Sequence, residues 1–458
     1  MHNQHLLDRA YGLIPNDVLK RAIASRLIYA LQPSDLSFSQ HLPHQDESRE
    51  RIPAHISGVN AITIDKFEGR FLLSGGADSS IAIWDLEERA AASEVGETIL
   101  PLSVANKTTQ KRNLGITQIA FYPFDSLAFL TSSYDHTVKI YSSETLAPSA
   151  VFDLDSVVYH IALSPIASHL LVACATQHPN VRLVDLRSGA NTHSLAGHTG
   201  AILSTSWSPT REHVLASGAT DGSVRFWDIR RSVGELAVLD LENSMGVLGK
   251  PTPSLTYNAS RGQAHRGPVN GIVWTEDGCH LITCGHDQRV RVWDTATGAN
   301  TLANFGPWVK NSSLAPCIPT LPPVQDLQLG ADLLFYPNEH ELLVYELFDG
   351  KLLRRLRRPL LHESSHTSTS TPVQTQRNIK DRITSLAWRA HDVEMYSSHA
   401  DGSITAWRSR TQEDAELDDE EEQAREDKNG GMKRRRGLLD EIYQGLTKRQ
   451  VTFGGSGP

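Results

Sequence analysis

The stretch "LASGATDGSVRFWDIR", residues 215–230, decides the fold. Two short apolar runs flank Asp221-Gly222, a dipeptide suited to a tight turn, so the stretch reads as two strands and their hairpin. The same phrase occurs as "LLSGGADSSIAIWDLEE" at 72–88 and as "LITCGHDQRVRVWDTATG" at 281–298. In each, an Asp is followed six residues later by a Trp: Asp78 by Trp84, Asp221 by Trp227, Asp287 by Trp293. The spacing returns for Asp401 and Trp407, and for Asp135 with Tyr141. A hydroxyl residue stands four positions before each Asp: Ser74, Thr131, Ser217, Thr283 and Ser397. Self-similarity at a fixed period is the mark of a repeat architecture.

A His precedes three of the Trp residues by 28 or 29 positions: His55, His198 and His265. The pattern resembles that of WD-repeat proteins. In that family, Trp, hydroxyl, His and Asp form a buried hydrogen-bonded tetrad in each blade of a propeller. The full sets here are His55/Ser74/Asp78/Trp84, His198/Ser217/Asp221/Trp227 and His265/Thr283/Asp287/Trp293. A Ser, His and Asp grouping also suits a hydrolase triad. A catalytic site would not recur three times beside a Trp, so the tetrads read as structural. Trp207, Trp274 and Trp388 precede their turn Asp by 13 or 14 residues and fit the innermost strand of each blade.

The turn positions count the blades. The gap between Asp135 and Asp221 divides at His178, ahead of "VRLVDLRSG", with Val184 in the Trp place. The gap between Asp287 and Asp401 holds "FYPNEHELLVYELFDG", in which Glu339 and Tyr345 are again six apart. The expected fold class is therefore all-β: a seven-bladed WD-repeat propeller over 48–410. Nothing after Trp407 supplies an outer strand for the last blade. "RERIP", residues 49–53, is expected to provide it and close the ring, leaving no open edge.

Segments outside the ring differ in kind. Residues 1–47 read as a helix-turn-helix arm, broken at Pro15, with Asn16 or Asp17 capping the second helix. Leu19, Ile23 and Leu27 recur at steps of four, with Ile28 and Leu31 on a similar stripe. Such a stripe can pack on its own propeller or bind a partner. Residues 411–427 hold ten acidic residues and one Arg, and the tail to 458 is expected to be mostly disordered. Lys433, Arg434, Arg435 and Arg436 form a basic cluster suited to nuclear import, to solvation, or to a weak nucleic-acid contact.

At ~150 residues per domain, 458 residues would suggest about three domains. One ring takes most of them instead. The formal net charge is −9, which argues against electrostatic binding of nucleic acid by the whole chain. No apolar run reaches the ~18 residues of a membrane span. Four cysteines, Cys174, Cys279, Cys284 and Cys317, are too sparse for a disulfide framework. Cys279, His280 and Cys284 lie on one strand with no second ligand pair, so no metal is expected. No cofactor and no catalytic residue is expected either.

One local feature narrows the function. Trp227-Asp228-Ile229-Arg230 ends one blade, and Val184-Asp185-Leu186-Arg187 ends the blade before it. Consecutive blades with this ending resemble the substrate receptors of cullin-4 ubiquitin ligases. There the Arg projects from the bottom face toward the damage-specific DNA-binding adaptor. The alternative is a surface Arg paired with a neighbouring Asp.

Longer phrases resemble the Cockayne syndrome group A type of WD-repeat protein: "EGRFLLSGGADSSIAIWDLE", "SVVYHIALSP", "LVACATQHPNVRLVDLRSG", "ILSTSWSP", and "AHRGPVNGIVW" with "GANTLANFG". The resemblance covers roughly 1–410; the tail departs from it. It implies a nuclear, non-catalytic receptor subunit of a cullin-4 RING ubiquitin ligase in transcription-coupled nucleotide excision repair. Arg187, Arg230 and the helical residues Leu6, Leu7, Leu19 and Ile23 would dock the adaptor, with cullin-4 and the RING subunit held indirectly. The other face would meet RNA polymerase II and the Cockayne syndrome B-type ATPase. No membrane and no sequence-specific nucleic-acid contact is implied. Arg230→Ala combined with loss of residues 1–31 is expected to abolish adaptor binding while leaving the ring folded. A scaffold for a chromatin or RNA-processing complex is the alternative reading.

Overall fold

The computed structural model describes residues 9–13, 15–40, 54–88, 90–93, 96–105, 114–166, 168–189, 191–231, 235–241, 262–328, 330–358, 382–389 and 392–410. The chain divides into two compact units, Met1–Arg408 and Ser409–Pro458. The repeats build the first as a seven-bladed propeller with very little helix.

Blade 1 has strands Val59–Ile64, Phe71–Gly76, Ile81–Asp85 and Pro101–Ala105. Blade 2 has Ile116–Tyr122, Asp125–Ser133, Thr137–Ser142 and Pro148–Asp153. Blade 3 has Val158–Leu163, Leu171–Thr176, Val181–Asp185 and Asn191–Leu195. Blade 4 has Ile202–Trp207, Val214–Ala219, Val224–Asp228 and Glu235–Leu239. Each pairs antiparallel in chain order, with the repeated Asp, or His178 in blade 3, in the turn between second and third strands. Blade 5 keeps three strands, Val269–Trp274, His280–Gly285 and Arg289–Asp294; a single bridge from Trp293 to Asn300 stands for its fourth. Blade 6 keeps Leu333–Pro337, Leu342–Glu346 and Leu352–Leu356, and its innermost strand is reduced to a bridge from Thr320 to Phe335.

Blade 7 comprises Ile383–Arg389, Glu394–His399 and Ile404–Ser409, and its fourth strand is Leu31–Pro33. This corrects the expected closure: residues 49–53 lie outside the described residues, and the closing strand comes much earlier in the chain. The physical reason is visible in Leu31. Its side chain is fully buried beside Trp407, Met395 and Leu342, a place the charged "RERIP" could not fill. A small sheet of Ser37–Phe38, Gly96–Ile99 and Ala90–Ser93 adds a second clasp. Phe38 meets Trp84 edge to face at 5.3 Å and Tyr396 at 6.0 Å, joining blades 1 and 7.

The core is divided among the seven blade interfaces, each with its own apolar cluster. Trp84, Trp227, Trp293 and Trp407 are fully buried. Polar clasps tie neighbouring innermost strands. The Thr117 and Thr384 hydroxyls donate to the carbonyls of Val158 (2.7 Å) and Val59 (2.5 Å). The indoles of Trp207 and Trp274 donate to Ala162 and Ser206, both at 3.1 Å.

Before the ring lies helix α1, Asn16–Tyr29. Pro15 takes the N-cap position and no side chain caps the helix, so the expected cap at Asn16 or Asp17 is not formed. Leu19 and Ile28 are buried, and Ile28 joins Leu31, Phe335 and Trp407 in the core between blades 6 and 7. Removing residues 1–31 would therefore strip a closing contact from the ring, which corrects the expectation that such a deletion leaves it intact.

Candidate functional site

The three tetrads are hydrogen-bond chains with a fixed direction. In blade 1 the Trp84 indole donates to Ser74 Oγ at 2.8 Å, and Ser74 lies 2.7 Å from His55 Nε2. Ser80 gives its single proton to Asp78 and so must accept from His55 Nδ1, which leaves Nε2 of the neutral ring to accept the Ser74 proton. The other ring nitrogen, Nδ1, then donates to Ser80 Oγ at 2.6 Å, and Ser80 donates to Asp78 at 2.5 Å. Blade 4 repeats the chain through Trp227, Ser217, His198, Ser223 and Asp221, with steps of 2.7, 2.7, 2.8 and 2.6 Å. Blade 5 lacks the bridging serine, because Arg289 stands at that position. There His265 Nδ1 meets Asp287 directly at 2.9 Å, with Thr283 and Trp293 completing the chain.

Charge follows geometry. Burial lowers the His55 pKa to about 4 against the opposing pull of Asp78, so the ring is neutral as the chain requires. Burial also lowers that of His265, although Asp287 works the other way. Burial alone would raise the Asp287 carboxyl; His265 and Arg291 overcome it and hold the group well below the usual carboxylate range. Asp221 is held low in the same way by His198, Ser223 and the Thr199 N–H. The hydroxyls of Ser74, Ser217 and Thr283 are fully buried beneath their indoles, beyond reach of a substrate.

The sequence pattern missed one partner. Blade 7 has Ser397, Asp401 and Trp407 but no upstream His. His399, two residues after Ser397 on the same strand, supplies the imidazole: its Nε2 lies 3.0 Å from Ser397 Oγ and 3.1 Å from Thr405 Oγ1. Arg358 binds Asp401 at 2.8 Å. In the degenerate blades, Val184 and Tyr345 fill the Trp slots in the core, and the Tyr345 hydroxyl has no partner among the described residues.

The antiparallel order puts the first-to-second and third-to-fourth strand turns of every blade on one face, and the Asp turns on the other. Arg187 and Arg230 stand just beyond the third strands of adjacent blades 3 and 4, on the first of these faces. Asp185 and Asp228 each accept the backbone N–H of the Arg two residues on, at 3.0 Å. The Arg187 side chain is exposed. Arg230 forks onto its own Asp228 at 3.0 and 2.9 Å, pulling that carboxyl down to about 2, yet its side chain is 66% exposed. So the paired-surface alternative describes Arg230 and not Arg187. An exposed ion pair contributes little to stability, so Arg230 can change partner at little cost. Exposed Phe67, Phe124 and Ile166, at or beside the first-to-second turns of blades 1–3, add apolar surface to this face.

The helical candidates fare unevenly. Leu6 and Leu7 lie outside the described residues. Leu19 is buried against its own chain, which corrects its expected role in docking, and Ile23 is half-buried. The outward apolar residues are instead Tyr11, Leu13 and Val18, each at least half exposed. Lys433, Arg434, Arg435 and Arg436 lie outside the described residues. No cluster that could hold a metal occurs among the described residues, and Cys279, His280 and Cys284 are not brought together as one.

Blades, tetrads and ring closure together define a WD-repeat β-propeller. The WD domain, G-beta repeat model matches residues 47–85, 106–142, 189–228 and 256–294. WD repeat-containing protein ATCSA-1 of Arabidopsis thaliana is 28% identical over 476 aligned residues, covering 90% of this chain and 96% of that protein. Ribosome biogenesis protein ytm1 of Neurospora crassa is 28% identical over 52% of the chain and 54% of its own length. The Aspergillus niger ytm1 is 25% identical over 61% and 60%. The chain thus spans little more than half the length of these ytm1 proteins.

Proposed function

We propose that this chain is the substrate-recognition subunit of a cullin-4 RING ubiquitin ligase acting in transcription-coupled nucleotide excision repair. One observation carries the reading. The similarity to ATCSA-1 runs through nearly the whole of both chains, whereas the ytm1 matches cover about half of each. Arg187 and Arg230 would meet the damage-specific DNA-binding adaptor. A planar guanidinium suits such a contact through its fork of donors and weak hydration. Phe67 and Phe124 would add buried apolar area around it. The opposite face would hold RNA polymerase II and the Cockayne syndrome B-type ATPase. The chain would contribute proximity rather than transfer chemistry. The basic cluster at 433–436 would carry it into the nucleus.

The test replaces the deletion of residues 1–31 with surface changes. Arg187→Glu/Arg230→Glu combined with Leu13→Asp/Val18→Asp should abolish co-purification of the adaptor, with the circular dichroism spectrum unchanged. Undiminished adaptor binding would remove the assignment. A second reading, a non-ligase WD scaffold in an RNA-processing assembly, is favoured by the ytm1 names. It predicts pre-ribosomal particles, and no cullin, with the purified chain.

A further inference from the structure

We infer that the centre of the face opposite Arg187 and Arg230 recognises an anionic side chain of a partner polypeptide, with Arg382 as the anchor. This is the face that the proposed function gives to RNA polymerase II and the ATPase, but the inference rests on the surroundings of Arg382 alone and its test needs neither partner.

Arg382 immediately precedes the innermost strand of blade 7, and its carbonyl accepts the Ala400 N–H at 2.9 Å, which fixes the backbone there. Its side chain is half-buried and makes no hydrogen bond or ion pair among the described residues. Three arginines drawn deeper into this fold are each compensated by a carboxylate: Arg225 by Glu235 at 2.7 Å, Arg358 by Asp401 at 2.8 Å, Arg389 by Glu394 at 3.0 Å. A desolvated guanidinium without an anion is unfavourable, and a carboxylate or phosphate oxygen pair matches its fork.

The surroundings fit that ligand. Arg382 and Lys310 line one cavity of about 30 Å³, enough for a small polar group. The cavity also holds one carboxylate, Glu339, which accepts the Ser312 hydroxyl at 2.5 Å and keeps its charge, so two cations there face a single anion. Arg382 is close enough to Tyr134 in blade 2 and to Cys317 to oppose the burial-driven rise of both pKa values, which puts it toward the ring's centre. Tyr134, Leu114 and Leu314 on the same face are 38%, 54% and 53% exposed. Arg and Tyr are residue types that interface hot spots favour, and the two Leu add apolar surface around them. The matching segment carries an acidic side chain flanked by apolar ones.

A random dodecapeptide phage library selected on the full chain, with Arg382→Glu as the counter-selection, tests this. Enriched peptides should carry Asp or Glu between apolar residues. Fluorescence polarisation should show about ten- to hundredfold weaker binding to Arg382→Ala. Changing the peptide's acid to Lys should abolish binding to the native chain and restore it to Arg382→Glu. Phosphoserine in place of the acid separates the two sources of the anion. Tighter binding assigns a phosphorylated partner, and equal or weaker binding assigns a carboxylate. Selection of no Arg382-dependent peptide, or of peptides without an acid, would overturn the inference. So would a lower melting temperature for Arg382→Met, which would make the residue structural; an equal or higher one is expected.

Discussion

Ser217→Ala is the most informative change to the tetrads. Ser217 is fully buried, accepts the Trp227 indole N–H at 2.7 Å and donates to His198 Nε2 at 2.7 Å. The substitution leaves a buried donor and a buried acceptor without partners. Each orphaned group costs about 1–3 kcal/mol. Their coupling through one hydroxyl makes the sum an upper bound, so about 2–5 kcal/mol is expected. Urea unfolding followed by tryptophan fluorescence measures the loss, provided circular dichroism gives the same transition. The double variant Ser217→Ala/Trp227→Phe should cost less than the two single changes added together, since one hydrogen bond is lost in both. A loss under about 0.5 kcal/mol for Ser217→Ala, the size of an ordinary surface change, would refute the chain of donors described above. Perfect additivity in the cycle would refute it as well.

Other expectations follow from the same geometry. Ser223→Ala should be milder than Ser217→Ala, because Asp221 already lies 3.4 Å from His198 Nδ1 and can take its proton; Ser80→Ala should be harsher than Ser223→Ala, since the matching distance is 3.9 Å. Leu31→Ala should cost about 2–5 kcal/mol and increase proteolysis at the blade 7 seam. His55 and His160 are pushed down to about 4 by burial. Their folded pKa lies below the unfolded value, so their neutral-state stability is whole above about pH 6.5 and is lost as pH falls from there to about 4. For fully buried His160 the loss is about 3 kcal/mol, and His160→Phe should flatten the unfolding free energy across that window. The depressed carboxyls of Asp221, Asp287 and Asp401 add a further loss below the ordinary carboxylate range.

The sequence pattern revealed the blades because each carries its own signal. Asp and Trp must be six apart to place a turn and the end of the third strand, so even Glu339 and Tyr345 betray a blade that has lost its tetrad. Closure was not legible in the same way. Leu31–Pro33 is three residues long, and a segment that short has no periodicity; what marks it is the burial of Leu31, a tertiary fact. The helical stripe was visible, but which face it turned inward was not, so Leu19, expected to dock a partner, is buried against its own chain. His399 escaped because it reaches Ser397 from the same strand, where the repeat calls for a His from the preceding connection. Arg382 had no motif around it; what marks it is that, among the described residues, its guanidinium makes no hydrogen bond or ion pair.

The most direct measurement is quantitative mass spectrometry of the full chain purified from nuclei after ultraviolet irradiation. The proposed function predicts stoichiometric damage-specific DNA-binding adaptor and cullin-4, with RNA polymerase II rising after damage. Pre-ribosomal proteins in their place, with no cullin before or after irradiation, would contradict it.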